Sequence, residues 1–213
     1  MKPILEEFRE LVGIDCASGK ERMLADVLKR KLEALGFTVR EDEAGRTFGG
    51  DTGNLIAILP GTRKGSVLFC SHMDRVKNGH GIKVREKDGV LYSGGDTILA
   101  ADDVSGICAI LDGVRRTLSS GNPHPRIEIA FTVGEEAGLL VVRPWIFRFF
   151  RAPAALSWTV PVFWGGSSMG PPVMSVLPST SKENRPMPVM SRKMASMRPI
   201  FSVTSWIPCP MGA

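Results

Sequence analysis

Apolar residues recur along the first part of the chain at two spacings, and the alternation between them predicts its elements. Ile4, Leu5, Phe8, Leu11 and Val12 fall at helical intervals and predict an opening amphipathic helix. Ser18 followed by Glu21 reads as a capping box. Behind it Met23, Leu24, Val27, Leu28, Leu32 and Leu35 form the apolar stripe of a second helix, and Gly36 is its stop. Residues 37–40, 54–59 and 66–71 read as strands, the last an apolar run suited to a buried position. Residues 83–86 and 90–92 flank Asp88-Gly89, a hairpin signal. Val104, Ile107, Ile110, Leu111 and Val114 predict a helix after Asp102-Asp103, and 126–133 a strand running straight into Gly134-Glu135-Glu136. Alternating helices and strands predict an α/β fold.

After Leu140 the periodicity fails. Eleven of the fifteen prolines lie in 141–213, too densely spaced for long helices or central strands. Composition sharpens the break. Residues 1–140 carry 19 Lys and Arg against 21 Asp and Glu, a net charge of −2, whereas 141–213 carry 8 against the single acid Glu183, a net of +7. The basic character of the whole chain therefore belongs to its last 73 residues, which also hold all four Trp and seven of ten Met but no Asp or His. The domain expectation is 1–140 as a catalytic-type α/β segment and 141–213 as a different text. The acidic start, Met1-Lys2-Pro3-Ile4-Leu5-Glu6-Glu7, lacks the apolar run of an export signal, and no stretch approaches the roughly 20 apolar residues of a membrane span. Cys16, Cys70, Cys108 and Cys209 show no paired spacing and read as reduced thiols, which gives a cytoplasmic expectation.

Three clusters sit where strands are predicted to end: Ser71-His72-Met73-Asp74, Ala101-Asp102-Asp103-Val104-Ser105-Gly106 and Thr132-Val133-Gly134-Glu135-Glu136-Ala137-Gly138. The carboxyl ends of strands line the ligand crevice of an open α/β sheet, so these residues can converge there. An imidazole with several carboxylates is a donor set that Zn²⁺, Mn²⁺ or Co²⁺ accepts. His72 and Asp74 alternate with Met73, so in an extended segment both project to one side, and Asp74 can hold the imidazole tautomer. Of the adjacent Glu135 and Glu136, one can ligate while the other serves as general base. Each cluster also has an ordinary reading. Paired acids such as Asp102-Asp103 open many helices because they complement the dipole. His80, in Asn78-Gly79-His80-Gly81, reads as an exposed loop histidine, His124 as part of a turn, and Cys70 and Cys108 as packed apolar residues.

Taken together and in this order, the clusters resemble the dinuclear-zinc M20 metallopeptidase family, most closely its tripeptide aminopeptidase (peptidase T-like) branch, which the double acid Asp102-Asp103 suggests. The resemblance covers about residues 1–140. It implies a three-layer α/β zinc-peptidase catalytic domain of the phosphorylase/hydrolase-like class, here truncated, and two Zn²⁺ (or Mn²⁺ or Co²⁺) in an intact member. His72 would bind one metal, Asp102 would bridge both and Glu136 would bind the other. Glu135 would be the catalytic base and Asp74 would orient His72. The implied reaction is removal of the N-terminal residue of a short peptide by metal-activated water. Other M20 activities, an amino-acid deacylase or a dipeptidase, are the alternatives within the class. Arg75 stands where many relatives have Thr, which bears on substrate detail. The implied partner is a peptide substrate, with neither nucleic acid nor membrane, and an intact relative would form a homodimer through its lid domain. A non-enzymatic protein using the basic tail on nucleic acid is the alternative of another class; the tail lacks a regular pattern on which to mount its Lys and Arg.

The resemblance also implies two further ligands, an Asp and a late His, that the tail does not offer. A shifted reading frame explains both the missing ligands and the compositional break. If each codon begins at the third base of a tail codon, 144–150 rereads as Leu-Asp-Phe-Ser-Phe-Leu and 157–164 as Leu-Asp-Gly-Ala-Gly-Phe-Leu. With the same shift, 182–199 rereads as Gly-Lys-Pro-Ala-His-Ala-Gly-His-Val-Pro-Glu-Asn-Gly-Ile-Asn-Ala-Ala, close to the family's His-Ala-Gly and Pro-Glu-Asn-Gly lid pattern. The expectation is one base lost, or two gained, near codons 139–143, and weak or no activity from the chain as it stands.

Overall fold

The opening apolar spacing closes into helix α1 (Ile4–Val12), which buries Phe8, Leu11 and Val12. Ile4 and Leu5 stay exposed, against the sequence reading. The structure is a computed structural model that describes residues 3–138 and 150–151, with the backbone alone of Ala154–Thr159 and Val173–Pro178. Helix α2 (Arg22–Ala34) buries Leu24, Leu28 and Leu32 completely. Met23, assigned to the same stripe, is 65% exposed, since it sits one position off the 3.6-residue face that Leu24 leads. Gly36 does end the helix: at φ +89° its N–H donates to the Glu33 carbonyl at 2.9 Å. The capping box does not form. Glu21 rather than Ser18 is the residue at the helix start, and neither side chain caps it.

Eight strands are present. In chain order they are β1 (Thr38–Glu41), β2 (Leu55–Leu59), β3 (Ser66–His72), β4 (Val84–Lys87), β5 (Val90–Ser93), β6 (Arg126–Thr132), β7 (Ala154–Thr159) and β8 (Val173–Pro178), all among the described residues. Between β5 and β6 runs helix α3 (Ala101–Ser119). The main sheet has the order β1-β2-β6-β3-β7-β8, and β4 and β5 form a separate hairpin. Asp88 and Gly89 close that hairpin at φ +53° and +75°, the two positive φ values of a type I′ turn. Strands β3, β6 and β7 run parallel, whereas β1, β2 and β8 are antiparallel to their neighbours. His72 pairs with Thr132, so β3 and β6 end side by side.

The pleat sorts side chains between the two faces of the sheet. Leu55, Ala57 and Leu59 of β2 and Ile127, Ile129 and Phe131 of β6 join the core built with α1, α2 and α3. The alternate residues Ile56, Leu68 and Ala130 form a second cluster with Cys70 and Phe150. Phe150, in the proline-rich part of the chain, is therefore packed against the sheet. The helical side also encloses charge. Glu7 is fully buried in α1, where Arg115 of α3 grips both carboxylate oxygens and Lys31 of α2 lies 3.3 Å away, so one ion cluster ties the three helices.

The expectation that no central strand forms after Leu140 is corrected by β7, which lies between β3 and β8. Ala154–Thr159 contains no proline; Pro153 and Pro161 flank it, and Pro178 closes the edge strand β8. The prolines thus border these strands rather than interrupt them. Every described residue falls in one unit, Met1–Thr180; the second, Ser181–Ala213, lies outside the described residues. Among the described residues no helix is long and apolar enough to cross a membrane.

Candidate metal centre

The parallel pair β3 and β6 fixes the floor of the site. β3 ends at His72, β6 leads into the turn at Gly134, and the start of α3 brings Asp102 to the same edge of the sheet. His72 Nδ1 donates to the Asp74 backbone carbonyl at 3.1 Å, and Nε2 lies 3.1 Å from Asp102 Oδ1. One donor atom each from His72, Asp102 and Glu136 lies within 4.8 Å of the others, the one such group of metal-ligating type among the described residues. The imidazole is thus oriented by Nδ1 and presents Nε2 to Asp102, which is how a ligating histidine is held.

The adjacent acids Asp102 and Asp103 part company. Both have non-helical backbone angles inside α3, and the peptide between them is cis. Asp103 is buried, accepts the Ser71 hydroxyl at 2.6 Å and accepts the Gly106 N–H at 3.2 Å, three residues on, as a helix cap does. A Cβ at Gly106 would stand 2.3 Å from Asp103 Oδ1, so this cap needs a glycine. The ordinary helix-start reading therefore describes Asp103, while Asp102 alone faces His72.

Asp74 lies 1% exposed beneath the turn. Its Oδ1 accepts the Glu135 N–H at 2.9 Å, and its Oδ2 accepts the Glu136 N–H at 3.0 Å and the Ser18 hydroxyl at 2.6 Å. Its contact with His72 through the side chain is longer, 3.5 Å. Asp74 therefore holds the turn that carries both glutamates as much as it holds the histidine. Sequence reasoning missed Asn54 and Glu21, whose side chains accept the two preceding amides, Val133 N–H at 3.0 Å and Gly134 N–H at 3.1 Å. The signal that could have found them was polarity without exposure: Asn54 opens an apolar strand, and Glu21 is spaced for a cap.

The charges perturb one another. Burial disfavours a charged His72, but the Asp102 and Asp74 carboxylates outweigh it and push the imidazole pKa up to about 11. Burial raises Glu135 and Glu136 above the ordinary carboxylate range; neighbouring acids add to this and His72 opposes it. Burial also works against an ionised Asp74, yet His72, Ser18 and the Glu135 amide hold its pKa below the usual value. Asp103, desolvated and only partly compensated by Ser71, is pushed up to about 7.

The remaining candidates lie elsewhere. Arg75 is buried and points away from the cluster, donating to the carbonyls of Leu11 (2.9 Å) and Val12 (3.0 Å) at the end of α1. It caps a helix rather than facing a substrate. His80 is an exposed loop residue beside Asp15, and His124 Nδ1 bonds the adjacent Pro125 carbonyl. Cys16 and Cys108 are buried free thiols and Cys70 is a half-buried one, all raised by desolvation.

Known proteins share this arrangement of strands and helices. Residues 54–146 match the model of peptidase family M28. The chain is 41% identical over 140 residues to the uncharacterized protein YqjE of Bacillus subtilis (strain 168), covering 65% of this chain and 38% of that protein. The crystal structure of aminopeptidase PepT from Bacillus cereus ATCC 10987 superposes with a TM-score of 0.69 at 38% identity, and that of a tripeptidase from Staphylococcus aureus subsp. aureus Mu50 with 0.68 at 35%. Each of these two alignments covers 73% of this chain and 42% of the other. The chain thus spans less than half the length of these three relatives. The fold is that of the catalytic domains of these peptidases.

Proposed function

We propose that the chain derives from a zinc-dependent aminopeptidase of the M20, tripeptidase-like kind, which removes the N-terminal residue of short peptides. The observation that carries this reading is the convergence of His72 Nε2, Asp102 and Glu136 at the ends of the two parallel strands, with Glu135 beside them on the same turn. The likeness to PepT and to the tripeptidase supports the substrate class.

The donor set fits a divalent cation. It comprises one imidazole whose other nitrogen is already bonded, and two carboxylates close enough to share an ion. His72, Asp102 and Glu136 would hold it. When bound, such an ion supplies Lewis acidity toward a peptide carbonyl and acidifies water near neutral pH. Glu135 contributes a half-buried carboxylate with a raised pKa, suited to taking a proton and passing it to a leaving amine. Asp74 fixes the tautomer of His72 and the backbone of both glutamates.

We also propose that residues beyond about 140 are read out of frame. Under the one-base shift, the last base of the Trp158 codon, G, joins the AC that begins every Thr codon, and GAC encodes Asp. The register supports this: Leu68, Phe69 and Cys70 pair with Ala155, Leu156 and Ser157. Continuing it sets positions 158–159 beside Ser71 and His72, where an added Asp would adjoin the cluster. In the chain as it stands three ligands remain, so cleavage is expected to be weak or absent.

Three measurements test these readings. Zinc titration of the 213-residue chain is expected to show one tight site that His72→Ala abolishes; no binding would overturn the metal centre. Tripeptide cleavage is expected to be near background in this chain and restored once the frame is repaired, then lost on Glu135→Gln with zinc affinity kept. Cleavage by the unrepaired chain, abolished by Glu135→Ala, would overturn the proposed inactivity. Sequencing the coding DNA through codons 139–143 decides the frame.

A further inference from the structure

Four consecutive backbone amides of the turn after β6 are each gripped by a side chain from another part of the fold. Val133 N–H donates to Asn54 Oδ1, Gly134 N–H to Glu21 Oε1, Glu135 N–H to Asp74 Oδ1 and Glu136 N–H to Asp74 Oδ2, all between 2.9 and 3.1 Å. Regular structure does not provide these bonds: β6 ends at Thr132. The turn also needs its glycine. Gly134 stands at φ +64°, and a Cβ there would lie 3.0 Å from the Phe48 ring.

Two of the gripping side chains are tied to one short segment. Ala17 bridges to Arg75, Ser18 donates to Asp74, and Glu21 Oε1 accepts both Gly19 N–H (2.9 Å) and Gly134 N–H. The segment 17–21 therefore touches the strand end that carries His72 and Asp74 and the turn that carries Glu135 and Glu136. Glu21 is completely buried, and its second oxygen has no partner among the described residues. A buried carboxylate of this kind costs stability, and the amides it accepts are those of Gly19 beside it and of Gly134, 113 positions on.

We infer that Glu21 is a positioning residue: by accepting the Gly134 amide it sets the backbone of the Glu135–Glu136 turn, and with it the position of Glu136 against His72 and Asp102. The inference rests on the reading of those three residues as a metal centre. Glu21 touches neither metal nor substrate; it acts through one backbone hydrogen bond. Side chains that orient ligands in this way change metal affinity by about 10- to 100-fold when removed.

The test uses the whole chain and two shape-conserving substitutions. Glu21→Gln keeps an oxygen acceptor for the amides; Glu21→Met fills the same space without one. Amide hydrogen exchange, followed by NMR on the metal-free protein, is expected to show Gly134 as protected as the amides of β6, and an unprotected Gly134 overturns the inference. Zinc titration then separates the variants. Glu21→Gln is expected to retain Gly134 protection and bind zinc within about threefold of the parent, whereas Glu21→Met loses that protection and binds about 10- to 100-fold more weakly. Unchanged protection and affinity in Glu21→Met overturn the inference. Should Glu21→Met fail to fold, Glu21→Gln decides: retention supports the acceptor role and loss overturns it. If the parent binds no zinc, the metal reading fails, while the exchange measurement still tests the Glu21 bond.

Discussion

Replacing Asp74 by Asn leaves its shape intact and changes only charge and one set of lone pairs, so the cost can be worked from its hydrogen bonds. With Oδ1 still facing the Glu135 amide, the new Nδ2 takes the place of Oδ2. Ser18 can turn its hydroxyl to accept from it, but the Glu136 N–H then faces another donor in a buried site. The stranded donor costs about 1–3 kcal/mol. The two surviving bonds fall from charge-assisted to neutral strength, about 1 kcal/mol each. The easier burial of an amide returns part of this, leaving a loss of about 3 kcal/mol. That is a large share of the ~5–15 kcal/mol that stabilises a domain, and corresponds to a fall of about 6–12 °C in Tm for a chain of this size. Urea unfolding followed by far-UV circular dichroism measures it. The pH dependence has a definite sign: the Asp74 pKa is depressed in the fold, so its contribution is present above the unfolded value near 4 and is lost as pH falls through the folded one. A double-mutant cycle with His72→Ala sharpens the reasoning. If Asp74 served only to orient His72, Asp74→Asn would be nearly neutral in the His72→Ala background. The two amide bonds require that about 2 kcal/mol of the loss persists there. A cost below about 1 kcal/mol in either background refutes the argument.

Other consequences are equally checkable. Because the surrounding carboxylates hold a proton on His72 up to about pH 11, zinc has to displace it. Calorimetry in buffers of different ionisation enthalpy should show about one proton released, and affinity should rise by up to about tenfold per pH unit between about pH 6 and 8. In the metal-free protein the same raised pKa stabilises the fold fully below about pH 6.5, and that contribution fades as pH rises toward 11. Arg115→Ala strips the buried Glu7 of its two-point partner and should cost about 3–5 kcal/mol in chemical denaturation. Gly134→Ala forces a left-handed residue and crowds Phe48; it should cost about 1–2 kcal/mol and lower zinc affinity with it.

The alternation of elements was legible in the sequence, because the signals that set it are local. A helical stripe such as Leu24, Leu28 and Leu32 and an Asp88-Gly89 turn need only their own neighbours to be read. The three chemistry-bearing clusters were legible for a related reason: strand ends are local features, and in a parallel sheet they come to one edge. Single residues within those patterns were settled elsewhere. Whether Asp102 or Asp103 would face the histidine depended on backbone angles that no local propensity dictates. Ser18 and Glu21 have the spacing of a capping box, yet Ser18 donates to the Asp74 carboxylate and Glu21 accepts the Gly134 amide, because buried polar groups from distant segments compete for the same side chains. Arg75 stands directly after a metal-site motif and is spent on the carbonyls of a helix 63 and 64 positions earlier in the chain. Prolines that promised an irregular tail border β7 instead, and only the open edge of β3 gives that segment its place. Patterning records which residues seek burial. Which buried polar groups meet one another is decided by the tertiary fold, since a hydrogen bond made away from water depends on a partner that the local sequence does not contain.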